Sequence, residues 1–380
     1  MRKIERIIMA HICFVTGLYS RYDSLIYYRQ GRGLIASGHK VSIVVCDLLP
    51  DECIEGIHIY STHYVPKNRI ERFLGSSKAV QEIADKIDAD IYQLQDPEPI
   101  GLVRHFRNKG KKVFFNMREY YPDMILHKEY LPTFLRRYVS WYYERLISKY
   151  FSQYDSVFTV TPEFVEILEK KFKLNNICLL TNYPIPNPEY RLEKVDYMSR
   201  HDVIIYEGTI YENSRQDVFM DALSKIPQVQ YLMVGKIDEN NSIMQHPYWS
   251  KVEFVNGFKQ SDLKGFFQRS TISNTLRDFG GWDGSLGVIK IFESMEAALP
   301  VVFSDVPMYR KIVEQYKCGV CADPNDAKSI ESAIRYLVEN KEEAYWMGQN
   351  GRKAVLEEFN WWKQMEKYEN SIKKCLNNDN

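Results

Sequence analysis

Lys290 and Glu293 stand three residues apart in the run IKIFESME, so a helix would project both from one face of its opening turns. A lysine ammonium can hold phosphate charge, and a carboxylate one turn on can accept two hydroxyl hydrogens, as the diol of a ribose would offer. By itself such a pair also suits a plain solvated helix face. The preceding GGWDGSLG, residues 280–287, is rich in glycine, so its backbone N–H groups can come close to a ligand. A glycine-rich loop leading into a helix N-terminus suits an anion, because unpaired N–H groups and the helix dipole point the same way. Gly287, Val288 and Ile289 would supply those groups, and phosphate is the expected guest. Pro300 then ends the helix, and Val301-Val302-Phe303 opens a β-branched buried strand that sets the helix start at the carboxyl-end rim of a parallel sheet.

Other polar residues fall where predicted strands end. Residues 90–96 alternate as a strand that runs into the acidic loop Asp96-Pro97-Glu98-Pro99, and residues 112–116 form a strand followed by Met117-Arg118-Glu119. The ends of successive parallel strands face one rim, which makes Asp96, Arg118 and Glu119 candidates for a common site. A structural ion pair of Arg118 with Glu119 or Asp123 is the plainer alternative. Gly17 sits in the turn after the first strand, 7–15. In the second half, the strand 202–206 ends in Glu207-Gly208-Thr209 on the way to Arg215, whose planar guanidinium could grip a diphosphate at two points. The strand 252–255 exits through Asn256-Gly257-Phe258.

The elements that must carry these residues alternate. After the strand 7–15 come a helix at 24–37 and a strand at 40–46, a β-α-β unit without G-x-G-x-x-G, which weakens a nicotinamide reading. Strands and helices alternate on to a strand at 177–180, and the proline-rich Asn182-Tyr183-Pro184-Ile185-Pro186-Asn187-Pro188 makes a stiff linker. At 380 residues two domains are expected, 1–183 and 184–360, with the last helix, 361–380, returning to the first.

KIFESMEAALPVV, followed by SDVPMYRKIVEQYKCGVCADPNDAKSIESAI, resembles the carboxyl-terminal half of family 4 glycosyltransferases. That resemblance implies an α/β GT-B fold, two Rossmann-like domains whose parallel sheets face a central cleft. It also implies transfer of a sugar from a nucleoside diphosphate to a hydroxyl of a glycan or lipid-linked glycan, with retention, as in capsule, O-antigen or exopolysaccharide synthesis. Glu293 takes the place of the second of two glutamates, the one that holds the donor ribose. The first, which contacts the donor sugar, falls at Ser285, with Asp283 near enough to substitute. Thr209 and Arg215 fall where relatives carry two cations that clamp the diphosphate, so one is missing here. Gly17 and Gly208 take turn-glycine positions, and Phe258 would line the base pocket. Arg118-Glu119 replaces a histidine-glutamate pair, exchanging a proton acceptor for a permanent charge. No metal or other cofactor is implied, and diphosphate charge would rest on Arg215, Lys290 and the helix N-terminus. These departures keep two other readings open: a non-catalytic sugar-nucleotide-binding partner of another transferase, or a sugar-nucleotide epimerase using Asp96, Glu98 and Glu119.

Composition bounds the rest. Fifty basic against fifty acidic residues give no net field, which speaks against a nucleic-acid binder. Seven scattered cysteines make no disulfide framework and fit a reducing cytoplasm; Cys318 and Cys321 form a lone C-x-x-C without further ligands. The opening MRKIERIIMAHICFVTGLY reads as a buried strand rather than a signal peptide, since His11 interrupts its apolar run. The predicted helix 131–151 is dense in aromatic and basic residues, a composition suited to peripheral contact with an anionic membrane surface or to packing on the sheet.

Overall fold

The computed structural model describes residues 9–68, 71–126, 132–188, 190, 192–238, 241–258, 262–280 and 287–377. The chain divides into two compact units, one formed by residues up to Asn182 together with those from Trp361 onward, the other by Tyr183–Asn360.

The first unit is built on β1 (His11–Val15), β2 (Lys40–Val45), β3 (Glu52–Ile54), β4 (Ile57–Ser61), β5 (Ile91–Leu94), β6 (Lys112–Met117), β7 (Ser156–Thr159) and β8 (Ile177–Leu179). Their order across the sheet is β3-β4-β2-β1-β5-β6-β7-β8. All neighbours are parallel except β3 and β4, a hairpin at the edge that the sequence reading did not anticipate. Ile12, Phe14, Ile43, Ile91, Phe114 and Val157 are fully buried, because helices cover both faces of the parallel sheet. On one face Tyr92 stacks on Phe106, ring centroids 4.0 Å apart.

The helix Trp361–Asn377 belongs to this unit. Trp361 is buried, the Tyr368 hydroxyl donates to Gln93 in β5, and His39 lies 3.0 Å from Glu369. Gly33 explains how the helix fits. A Cβ on that glycine would come within 2.7 Å of Met365 Sδ and 3.0 Å of Trp361 Nε1, so the absence of a side chain lets the two helices cross closely without moving Met365.

The second unit carries β9 (Val203–Glu207), β10 (Gln230–Gly235), β11 (Val252–Asn256), β12 (Ile272–Asn274), β13 (Val301–Ser304) and β14 (Gly319–Ala322), ordered β11-β10-β9-β12-β13-β14 and parallel throughout. Both units are therefore the parallel α/β sheets expected, with some elements placed differently. The expected helix at 24–37 is a wide turn at Ile26–Gly31, with i→i+5 bonds such as Gln30 N–H to Leu25 O, followed by the helix Arg32–Ala36. Helices at Tyr121–Leu126, Lys194–Ser199 and Lys341–Glu357 were not foreseen. The last follows Ala327–Glu339 after the single residue Asn340, and Gly348 and Gly351 interrupt its apolar period.

Candidate active site

In the second sheet the order reverses between β9 and β12. The chain leaves β9 for β10 and β11 on one side and returns on the other. Loops part at such a point and leave a crevice at the carboxyl ends of the strands. The residues of the Lys290–Glu293 run are brought here. The helix Ile289–Glu296 starts one residue after Val288, and Lys290 Nζ lies 3.8 Å from the centroid of the Tyr206 ring, a cation–π contact. The same ammonium is 4.0 Å from where a Cβ on Gly208 would stand. Gly208 turns the chain out of β9 with φ +110°.

Glu207 ends β9 and is buried beside Glu293, and its Oε1 has no hydrogen-bond partner among the described residues. Burial, then the charge of Glu293, push the Glu207 carboxyl well above the usual carboxylate range, with Lys290 pulling the other way. Behind the turn, Gly235 has φ +157°, and a Cβ there would lie 1.9 Å from the Gly208 carbonyl oxygen.

The remaining sequence candidates of this unit stand apart from that group in various ways. Arg215 is left-handed (φ +49°) at the start of the helix Gln216–Leu223, and its guanidinium is engaged by Asp217, at 3.4 Å, and by Asn325. Thr209 is exposed. Phe258, half-buried after a left-handed Gly257, packs against the core of the unit. Gly287 is exposed, and Val288 and Ile289 are partly so. Ser285 and Asp283 lie outside the described residues.

In the first unit the order reverses between β1 and β5, and here a side chain of the protein occupies the turn. Asp96 accepts from the Gly17 N–H at 2.5 Å, the Leu18 N–H at 3.0 Å and the Thr16 hydroxyl at 2.9 Å. The Gly17 N–H, offered by the sequence to a ligand, is thus held by Asp96. Burial and the neighbouring Glu98 charge nevertheless raise the Asp96 carboxyl to about 7, against the pull of those donors. Arg118 grips Asp23 at two points, Nη1–Oδ2 3.0 Å and Nη2–Oδ1 2.5 Å, and its guanidinium lies 3.8 Å from the Tyr19 ring centroid. Burial alone would raise the Asp23 carboxyl, but Arg118 and the N–H groups of Ile26 and Leu25 hold it below its usual range. Glu119 is exposed.

Asp23, Tyr206 and Glu207 are residues of these groups to which the sequence reading gave no role. For Glu207 a signal existed: it is the one charged residue closing the apolar run VIIYE, at a strand end. In the C-x-x-C, burial raises Cys318 to about 12 and Cys321 to about 11, which keeps both thiols protonated near neutral pH.

The helix Thr133–Tyr150 turns one face outward. Phe134, Arg137, Trp141, Arg145 and Lys149 are exposed at spacings of three and four, with Tyr138 exposed beside Arg137, and Arg145 lies 5.2 Å from the Trp141 ring centroid. No helix among the described residues is long and apolar enough to cross a membrane.

Comparison with known proteins agrees with this architecture. Residues 26–182 match the model for Glycosyltransferase Family 4, and residues 193–354 match that for Glycosyl transferases group 1. An uncharacterized glycosyltransferase of Haemophilus influenzae is 21% identical over 296 residues, covering 76% of this chain and 78% of its own. The sucrose-phosphate synthase of Thermosynechococcus elongatus superposes with a TM-score of 0.72 at 16% identity, over 97% of this chain and 100% of that one. HepE of Anabaena, solved with UDP and glucose, superposes with a TM-score of 0.66 at 13% identity, over 96% and 100%. With two transferase models taking in most of the chain and both units wound as GT-B domains, this protein is a glycosyltransferase of the family 4, group 1 type.

Proposed function

We propose that the protein transfers a sugar, with retention, from a nucleoside diphosphate to a hydroxyl of a glycan or lipid-linked glycan, as in the synthesis of a surface polysaccharide. The observation that carries the donor half is the grouping of Lys290, Glu293 and Gly208 at the reversal between β9 and β12. Lys290 and the N–H groups at the start of the helix Ile289–Glu296 would balance the diphosphate, and Glu293 would accept from the ribose diol. Arg215 would join them on leaving Asp217 and Asn325. The reaction breaks the bond from the sugar C1 to the phosphate oxygen and forms one from C1 to the acceptor oxygen on the same face. The acceptor proton passes to the leaving phosphate, and a nucleoside diphosphate departs.

UDP is the first donor nucleotide to try, since the Anabaena neighbour holds it. A lipid-linked acceptor would reach the protein at the membrane surface on its cytoplasmic side, and the outward face of Thr133–Tyr150 supports that reading. Phe134 is 76% exposed, Tyr138 62% and Trp141 49%, with arginines and a lysine interleaved.

The test is calorimetric titration with UDP, GDP and CMP and their sugar conjugates, on wild type and Glu293→Ala. Binding of one nucleoside diphosphate, weakened about tenfold or more in the variant, is the expected result for a lost hydrogen-bonded carboxylate. Binding indifferent to Glu293 refutes the assignment.

A further inference from the structure

Glu207 has no part in the reaction as written above, yet its placement is costly. A carboxyl at the buried end of β9, with one oxygen lacking any partner among the described residues, loses its hydration without full compensation. Across from it stands another carboxyl, that of Glu293 on the helix Ile289–Glu296, which Lys290 sets against the end of β9 with its Nζ 3.8 Å from the centroid of the Tyr206 ring. Two carboxylates cannot share such a contact when both are charged, so one of them must carry the hydrogen between them. Glu207 is the more deeply buried and therefore the one that keeps it.

We infer that Glu207 is a positioning residue of the donor site: it donates its carboxyl hydrogen to Glu293 and so fixes the orientation of that carboxylate for the ribose hydroxyls of a sugar nucleotide. The inference rests on the donor-site reading of Glu293. Several groups face the pair. Lys290, on the same helix as Glu293, favours ionisation of Glu207, and the Tyr190 phenol lies within the field of Glu207, Glu293 and Glu296. Arg352 in turn acts on Tyr190. Loss of the shared hydrogen at high pH leaves two negative charges in contact, and Glu293 is then driven from its position. Donor affinity falls with it.

The experiment compares UDP and GDP affinity by calorimetry, and donor KM against kcat, from about pH 6 to 9 in wild type, Glu207→Gln, Glu207→Leu and Glu293→Ala. Glutamine keeps an N–H donor toward Glu293 but does not titrate. Glu207→Gln is expected to bind within about threefold of wild type at low pH and to lack the loss of affinity that wild type shows as pH rises. Glu207→Leu is expected to weaken binding about tenfold at every pH, in KM rather than kcat, the loss of one hydrogen bond to a charged group. If Glu207→Leu binds like wild type while Glu293→Ala does not, Glu207 has no positioning role and the donor site stands. If Glu293→Ala is also silent, the donor site itself is wrong. Should Glu207→Leu fail to fold, the pH profile of Glu207→Gln decides, and a profile that keeps the wild-type fall overturns the inference.

Discussion

Arg118 and Asp23, 95 residues apart in sequence, meet as a two-point ion pair whose side chains are 14% and 15% exposed. Arginine here is a fixed partner of the loop after β1 rather than a free cation awaiting an acidic ligand. Arg118→Ala is expected to cost about 3 kcal/mol, because it leaves a charged carboxylate buried without its partner. Arg118→Lys keeps the charge but not the fork and should cost about 1–2 kcal/mol. Urea midpoints of the two variants check the order, and equal midpoints for wild type and Arg118→Ala would sink it.

Asp96 predicts a pH effect on stability. Its carboxyl is raised in the fold from 3.8 to about 7, so the folded chain keeps a proton that the unfolded chain releases. The resulting stability is fully present below the unfolded value and is lost as pH rises through about 7. Asn at this position does not titrate. The stability of wild type relative to Asp96→Asn should therefore decline between about pH 4 and 7, by up to about 1.4 kcal/mol per pH unit, and level off above. Denaturant titrations of both proteins across that range measure the difference, and a flat difference refutes the assignment.

Gly235→Ala places a methyl 1.9 Å from the Gly208 carbonyl oxygen and does so at φ +157°. Backbone has no rotamer to turn aside, so the Gly208 turn must move. A loss of about 2–3 kcal/mol is expected, together with weaker nucleotide binding, since Lys290 lies against that turn. Thermal unfolding and UDP titration read the two effects separately.

The outward stripe on Thr133–Tyr150 predicts binding to vesicles that contain phosphatidylserine and little to neutral ones. Binding should weaken as salt rises. Charge reversal at Arg137 and Arg145 should remove at least about 1 kcal/mol per residue, and Phe134→Ala with Trp141→Ala should lower what salt leaves. Co-sedimentation checks it, and binding equal on both lipids would argue against an electrostatic contact.

What the sequence disclosed and what it withheld divide along the reach of local patterns. Buried parallel strands are near-continuous apolar runs, so β9 and β13 could be read from VIIYE and VVFS, and the helix Ala327–Glu339 from its period. Lys290 and Glu293 were legible because one helix carries both. Asp23 with Arg118, Glu207 with Glu293, and Arg215 with Asn325 were not, since each pair joins residues on separate elements and neither member marks its partner. The helix Thr133–Tyr150 had two readings in its composition; Leu146, Ile147 and Tyr150 pack on the core of the sheet, while Phe134 and Trp141 are exposed.

The crossing of Trp361–Asn377 over Gly33 gives the chain an unusual schedule during synthesis. Domains emerging from a ribosome generally fold in order, the first one made folding first. Here Tyr183–Asn360 is continuous and can close its own sheet as soon as it is exposed, whereas the unit begun earlier lacks the helix that covers Gln93 and Phe158 until Trp361–Asn377 is made. Of the two units, the one whose synthesis starts earlier is the one that closes later.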